Sequence, residues 1–163
     1  MTGTQGSEQF AGGALINKSR QTLAEWAPML LRLITGYGFI AHGLAKLGRG
    51  PDHFANILNA LGVPFPYLMS VATIAIEILG GAMILAGAFV ALASIPMAIV
   101  LLVAMFSVHW QYGFSSIKLQ AITPAGAQFG QPGYETDLLY LACLASLVIG
   151  GAGPLSFDAY RRT

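Results

Sequence analysis

Between His53 and His109 lie 55 residues, Phe54 to Val108, and only one of them, Glu77, carries a charge. A run of that length is too apolar for the core of a soluble protein of 163 residues. Apolar stretches of about 20 residues are what cross a bilayer as helices, and this run holds two of them back to back. Glu77 falls near the middle of the first. A charge at bilayer depth costs roughly 3 kcal/mol or more, so it is rarely kept without a partner or a task. Arg32 is the only arginine inside a predicted span, which makes it the first candidate partner.

The composition agrees with this reading. Hydrophobic residues make up 55% and charged residues 9% of the chain, with a mean hydropathy of +0.66; soluble domains are about 25% charged. A net charge of +1 offers nothing to nucleic acid. Cys143 stands alone in an apolar run, which leaves no disulfide framework and no paired-cysteine redox or zinc motif. The fold class implied is all-α, an integral membrane four-helix bundle.

Residues 1–25 are rich in Gly, Thr, Gln and Ser and read as a flexible tail, with no apolar segment after a basic start. A four-span domain then covers residues 26–153. The first span runs from about Trp26 to Leu47, with Pro28 suited to a first helical turn. Gly48 to Pro66 is a polar connection containing Arg49, Asp52 and His53. Spans two and three cover about Tyr67 to Gly87 and Val90 to Trp110, joined so tightly that they must form an antiparallel hairpin. Pro96 is tolerable inside a membrane helix. Residues 111–133 hold Tyr112, Phe114, Lys118, four glutamines, four glycines and two prolines, and their aromatic and apolar content favours a lid at the membrane surface. The fourth span starts near Tyr134 and ends at Gly150-Gly151, before Pro154 and a short cytoplasmic tail over 154–163.

Basic residues set the orientation. Lys18, Arg20, Arg161 and Arg162 flank the terminal side, and Lys46, Arg49 and Lys118 the other. By the positive-inside rule both termini are cytoplasmic. Arg32 then lies roughly 9 Å into span one at 1.5 Å per residue, and Glu77 near the midplane. Arg32, Gly36 and Gly43 share a stripe on span one, as Glu77, Gly80, Gly81 and Ile84 do on span two. Small residues beside the charges allow close helix approach. An Arg32–Glu77 ion pair is therefore expected, serving either as a structural clasp or in proton transfer and quinone contact.

A second polar group is expected at the outer side. His42 and Lys46 share a helix face, His109 ends span three, Glu135 opens span four, and His53 and the 111–133 segment lie alongside. Glu77, His42, His109 and Glu135 are the candidates for a proton relay or quinone contact, with Lys46 and Tyr112 as candidates for holding the cofactor. Each has a plain alternative: Lys46 snorkels to the interface, and Glu135 with Asp137 favours the start of a helix. The histidines lack HxxxH or HExxH spacing, so no metal site is assigned, although outer-face metal handling stays an alternative.

The chain reads Arg32-Leu-Ile-Thr-Gly36, His42-Gly43-Leu-Ala-Lys46, Glu77-Ile-Leu-Gly80-Gly81, Val108-His109, Gly133-Tyr134-Glu135 and Gly153-Pro-Leu-Ser156-Phe-Asp158. In order and spacing, over about residues 28–158, these motifs resemble the DoxX family of small four-helix bacterial membrane proteins. The 111–133 connection is longer than that family's usual third loop. The resemblance implies a multi-pass protein of the bacterial inner membrane. Some relatives are named as subunits of a thiosulfate:quinone oxidoreductase, and others are associated with membrane redox-stress complexes. It also implies that Arg32, His42, Lys46, Glu77, His109 and Glu135 occupy the family's polar positions. With no flavin, haem or iron–sulfur signature in the chain, electrons must come from another subunit. The expected function is a membrane-embedded subunit of a quinone-linked oxidoreductase system. The alternative is a non-enzymatic anchor or assembly subunit of a larger complex or homo-oligomer.

Overall fold

A computed structural model describes the backbone of residues 4–161 and side chains from residue 24 to 161. The chain is mostly helical. Helix α1 spans Thr4–Arg49, α2 Pro51–Ala60, α3 Pro66–Ala86, α4 Val90–Tyr112, α5 Glu135–Gly150 and α6 Phe157–Tyr160. A two-stranded antiparallel hairpin, β1 Leu119–Thr123 and β2 Gly126–Phe129, interrupts the connection between α4 and α5. Among the described helices, α3 and α4 are long and apolar enough to cross a membrane.

Three features differ from the sequence reading. Helix α1 begins at Thr4, inside the segment expected to be a flexible tail. Once the apolar turns after Trp26 have met the cost of nucleation, each added residue gains a hydrogen bond for little further loss. The polar connection after Gly48 contains α2, which Pro51 opens and Gly62 closes. At that end Gly62 N–H donates to Asn59 O and Val63 N–H to Leu58 O, a Schellman closure that requires a left-handed residue. The chain is also not purely α-helical. The hairpin turns at Thr123-Pro-Ala-Gly126, where proline's fixed φ and the positive φ of Gly126 reverse the chain. Arg162 and the side chains of Lys18 and Arg20, on which the orientation rests in part, lie outside the described residues.

Small residues bring α1 and α3 together. A Cβ on Gly36 would lie 2.7 Å from the Gly81 carbonyl oxygen, and one on Gly81 would lie 2.8 Å from that of Gly36. This is backbone-to-backbone contact, and it fixes an antiparallel register in which Arg32 comes level with Leu85 and Lys46 with Glu77. The core is built from Phe39 of α1, Ile84 of α3, Met97 and Leu101 of α4, and Leu144 and Leu147 of α5. Gly38 makes room for the Tyr140 ring of α5, and Gly80 for Met97 of α4.

Both long apolar helices contain a π-helical turn, Ile76–Gly80 in α3 and Met105–His109 in α4. A π turn inserts one residue into the helix and often marks a functional position. Here one carries Glu77 and the other ends at His109.

Candidate functional site: two acid–base pairs and an arginine clamp

Arg32 is buried and meets no carboxylate by hydrogen bond. Nε–H donates to Ile84 O at 3.2 Å; Nη1 donates to Ala152 O at 3.0 Å and Pro154 O at 3.1 Å; Nη2 donates to Leu85 O at 2.7 Å and Leu155 O at 3.1 Å. All five donors of the guanidinium are thereby used. The acceptors are carbonyls at the end of α3, where the helix dipole is negative, and in the turn after α5; Ile84 O also accepts from Gly87 N–H. Gly87 completes the arrangement. Its φ is +63°, and a Cβ there would stand 2.4 Å from Ser156 Cβ and 2.8 Å from Arg32 Cζ. Asp158 accepts from Phe89 N–H at 2.8 Å and Val90 N–H at 2.9 Å, capping α4. The Gly153–Asp158 motif is therefore a strap that ties three helix ends to Arg32.

The expected Arg32–Glu77 pair does not form. Glu77 lies about two helical turns from Leu85, and its partner is Lys46, whose ammonium binds Oε1. The carboxylate is deeply buried at 6% side-chain exposure, while Lys46 keeps 27%. The Lys46 ammonium also sits 4.9 Å from the centre of the Phe54 ring on α2, a cation–π contact that covers it from one side. Glu77 Oε2 is buried with no hydrogen-bond partner.

A second pair joins α4 to α5. His109 Nδ1 and Asp137 Oδ2 are 2.6 Å apart, with Asp137 at 7% and His109 at 28% side-chain exposure. The two pairs share one design. In each a buried acid holds a base that remains open to its surroundings. Lys46, His109 and Asp137 lie toward the ends of their helices away from the Arg32 strap, whereas Glu77 lies in the middle of α3.

The remaining candidates take other places. Glu135 Oε2 accepts from Ser116 N–H at 2.9 Å, pinning the loop before the hairpin to the start of α5. His42 is exposed and meets Tyr140 edge-on at 6.5 Å between ring centres. Tyr112 carries Lys118 over its ring at 5.8 Å, and His53 is exposed on α2. Among the described residues, no hydrogen bond joins Glu77 or His42 to His109 or Glu135. No group of three or more His, Cys, Asp or Glu there is placed to hold a metal ion. A cavity of about 520 Å³ lies at the strap end between Glu25, Pro28, Leu147 and Asp158.

Asp137 is the residue the sequence reading missed. In the sequence it reads only as a charge favouring the start of a helix. Helices α4 and α5 are antiparallel neighbours in chain order, so the end of one faces the start of the other. Two residues apart, Glu135 and Asp137 project to nearly opposite sides of α5. The inner one meets His109.

The DoxX family model matches residues 27–110. That stretch holds Arg32, the Gly36–Gly81 contact, the Lys46–Glu77 pair and His109. The chain belongs to the DoxX family. It is also 28% identical over 136 residues to "Putative oxidoreductase CatD" of Bacillus subtilis (strain 168), covering 83% of this chain and 87% of that protein. No solved structure matches it. The geometry separates the tasks of the polar residues: Arg32 and Asp158 fasten helix ends, whereas Lys46 pairs with Glu77 and His109 with Asp137.

Proposed function

We propose that this DoxX protein is a membrane-embedded subunit of an oxidoreductase system, and that its two acid–base pairs serve a quinone at the outer face. Four spans, α1, α3, α4 and α5, form the membrane bundle, with both termini cytoplasmic in the bacterial inner membrane. Support comes from apolar side chains left open on all four helices, among them Leu30 and Ile34, Leu68 and Leu79, Ile95 and Ile99, and Leu139 and Ile149. A belt that extensive is not compatible with water on every side.

The observation that carries the reading is the pairing itself, in which Glu77 and Asp137 each hold a half-open base. Reducing a quinone to its quinol takes two electrons and two protons. The Lys46 ammonium and protonated His109 are the two donors, and buried Glu77 and Asp137 balance their charge. The electrons come from a redox-active partner subunit, since this chain has no flavin, haem or iron–sulfur motif. Oxidation of a quinol runs the same path in reverse.

Trp110, beside His109, supplies the test. Adding a short-chain quinone to the detergent-purified protein should quench tryptophan fluorescence saturably. His109→Ala and Asp137→Asn should each weaken that binding about tenfold, the equivalent of roughly 1.4 kcal/mol. Linear quenching, identical in the variants, would leave the anchor reading in its place.

A further inference from the structure

The β hairpin carries a surface that the acid–base pairs do not explain. Its register pairs Leu119 with Phe129, Ala121 with Gln128, Ile122 with Ala127 and Thr123 with Gly126, with an irregularity between Leu119 and Ala121. Directly paired residues project to the same face, and alternate residues along a strand share a face. Leu119, Ile122, Ala127 and Phe129 therefore lie together, while Ala121, Thr123 and Gln128 lie on the other side. The bulge at Gln120 is what makes this possible. Leu119 and Ile122 are an odd number of residues apart, and without the extra residue they would point to opposite faces. The irregularity sorts the large apolar side chains onto one surface, where Ile122 is 80% and Phe129 61% exposed.

That surface needs a cover, because a two-stranded hairpin alone is marginal in water. Its root shows what the cover is. Trp110 stacks on Tyr134 at 5.1 Å and Phe114 meets Tyr134 edge-on at 5.7 Å, where the apolar α4 ends and α5 begins. Aromatic clusters of this kind sit at headgroup level. Glu135, Ser116 and Thr136 fasten the loop to that level by hydrogen bonds. Residues 111–133 contain one charge, Lys118, and no acid, which suits an anionic lipid surface. We infer that the hairpin lies flat on the outer leaflet, with Leu119, Ile122, Ala127 and Phe129 in the boundary between headgroups and acyl chains and Gln128 facing water. The inference rests on the membrane reading given above.

The test places single cysteines at Ile122 and Gln128 in a Cys143→Ala background, labels them with an environment-sensitive fluorophore, and reconstitutes the protein in phosphatidylcholine–phosphatidylglycerol vesicles. Phe129→Cys is a second reporter for the apolar face, and Ile99→Cys reports on the span. A shallow lipid-borne nitroxide should quench the probes at 122 and 129 several-fold more than the probe at 128, and iodide should show the reverse order. Equal iodide access on both faces would overturn the inference, as would equal nitroxide quenching on both. Shielding of 122 and 129 from both quenchers would mean that protein covers the face, which also overturns it. A deep nitroxide that quenches the probe at Ile99 keeps the membrane reading intact whatever the hairpin does; loss of that signal too would sink the membrane reading itself.

Discussion

Replacing Arg32 with methionine keeps an unbranched apolar stem and removes all five donors. The five carbonyls it serves then divide into two groups. Ile84 O and Ala152 O take buried hydrogen bonds, while Leu85 O, Pro154 O and Leu155 O take partly buried ones that water can replace. Ile84 O keeps the Gly87 N–H as a partner, whereas Ala152 O loses its donor; a buried acceptor left without a partner costs about 1–3 kcal/mol, which sets the loss. For a protein of this size that corresponds to a melting point lowered by roughly 2–12 °C. Arg32→Lys should recover only part of it, since an ammonium offers three donors and lacks the planar fork. Thermal unfolding in detergent, followed by circular dichroism, measures both. Arg32→Met combined with Glu77→Met should show additive losses, because the two residues have separate partners. A loss under about 1 kcal/mol, or strong coupling to Glu77, would refute the clamp.

Two further outcomes follow from the packing. Lys46→Met leaves a buried carboxylate with neither oxygen paired and should cost about 3–5 kcal/mol. Glu77→Gln should cost less, because the part-exposed ammonium can turn to water, and a double-mutant cycle in detergent melts should give clear coupling between the two. Gly81→Ala drives a Cβ against the Gly36 carbonyl and should cost about 1–3 kcal/mol by the same assay, whereas alanine at Gly48, which has open space around it, should be nearly neutral.

Helices α3 and α4 were legible in the sequence because they are continuous apolar runs of 21 and 23 residues. The glycine stripes of α1 and α3 were legible from helical spacing, and they are where the two helices meet. Register was not. Depth counted from estimated span ends set Arg32 against Glu77, yet the Gly36–Gly81 contact offsets the helices by about two turns and hands Glu77 to Lys46. Matching the two glycine stripes, rather than the two charges, would have found this. Arg32's true partners are main-chain carbonyls, which no side-chain pattern marks. Glu135 and Asp137 looked alike in sequence because both open α5; only the direction of approach of α4 decides which one receives His109. The hairpin escaped notice because its strands are short and its alternation is broken by the bulge that gives it an apolar face.

Photolabelling with an azido-quinone, followed by peptide mapping, bears most directly on the proposed role of the two acid–base pairs. The account predicts labelling in the peptides around Lys46 and His109, competed away by unlabelled quinone and lost in His109→Ala. Labelling spread along the lipid-facing sides of α3 and α4, unaffected by competitor or by that variant, would contradict it.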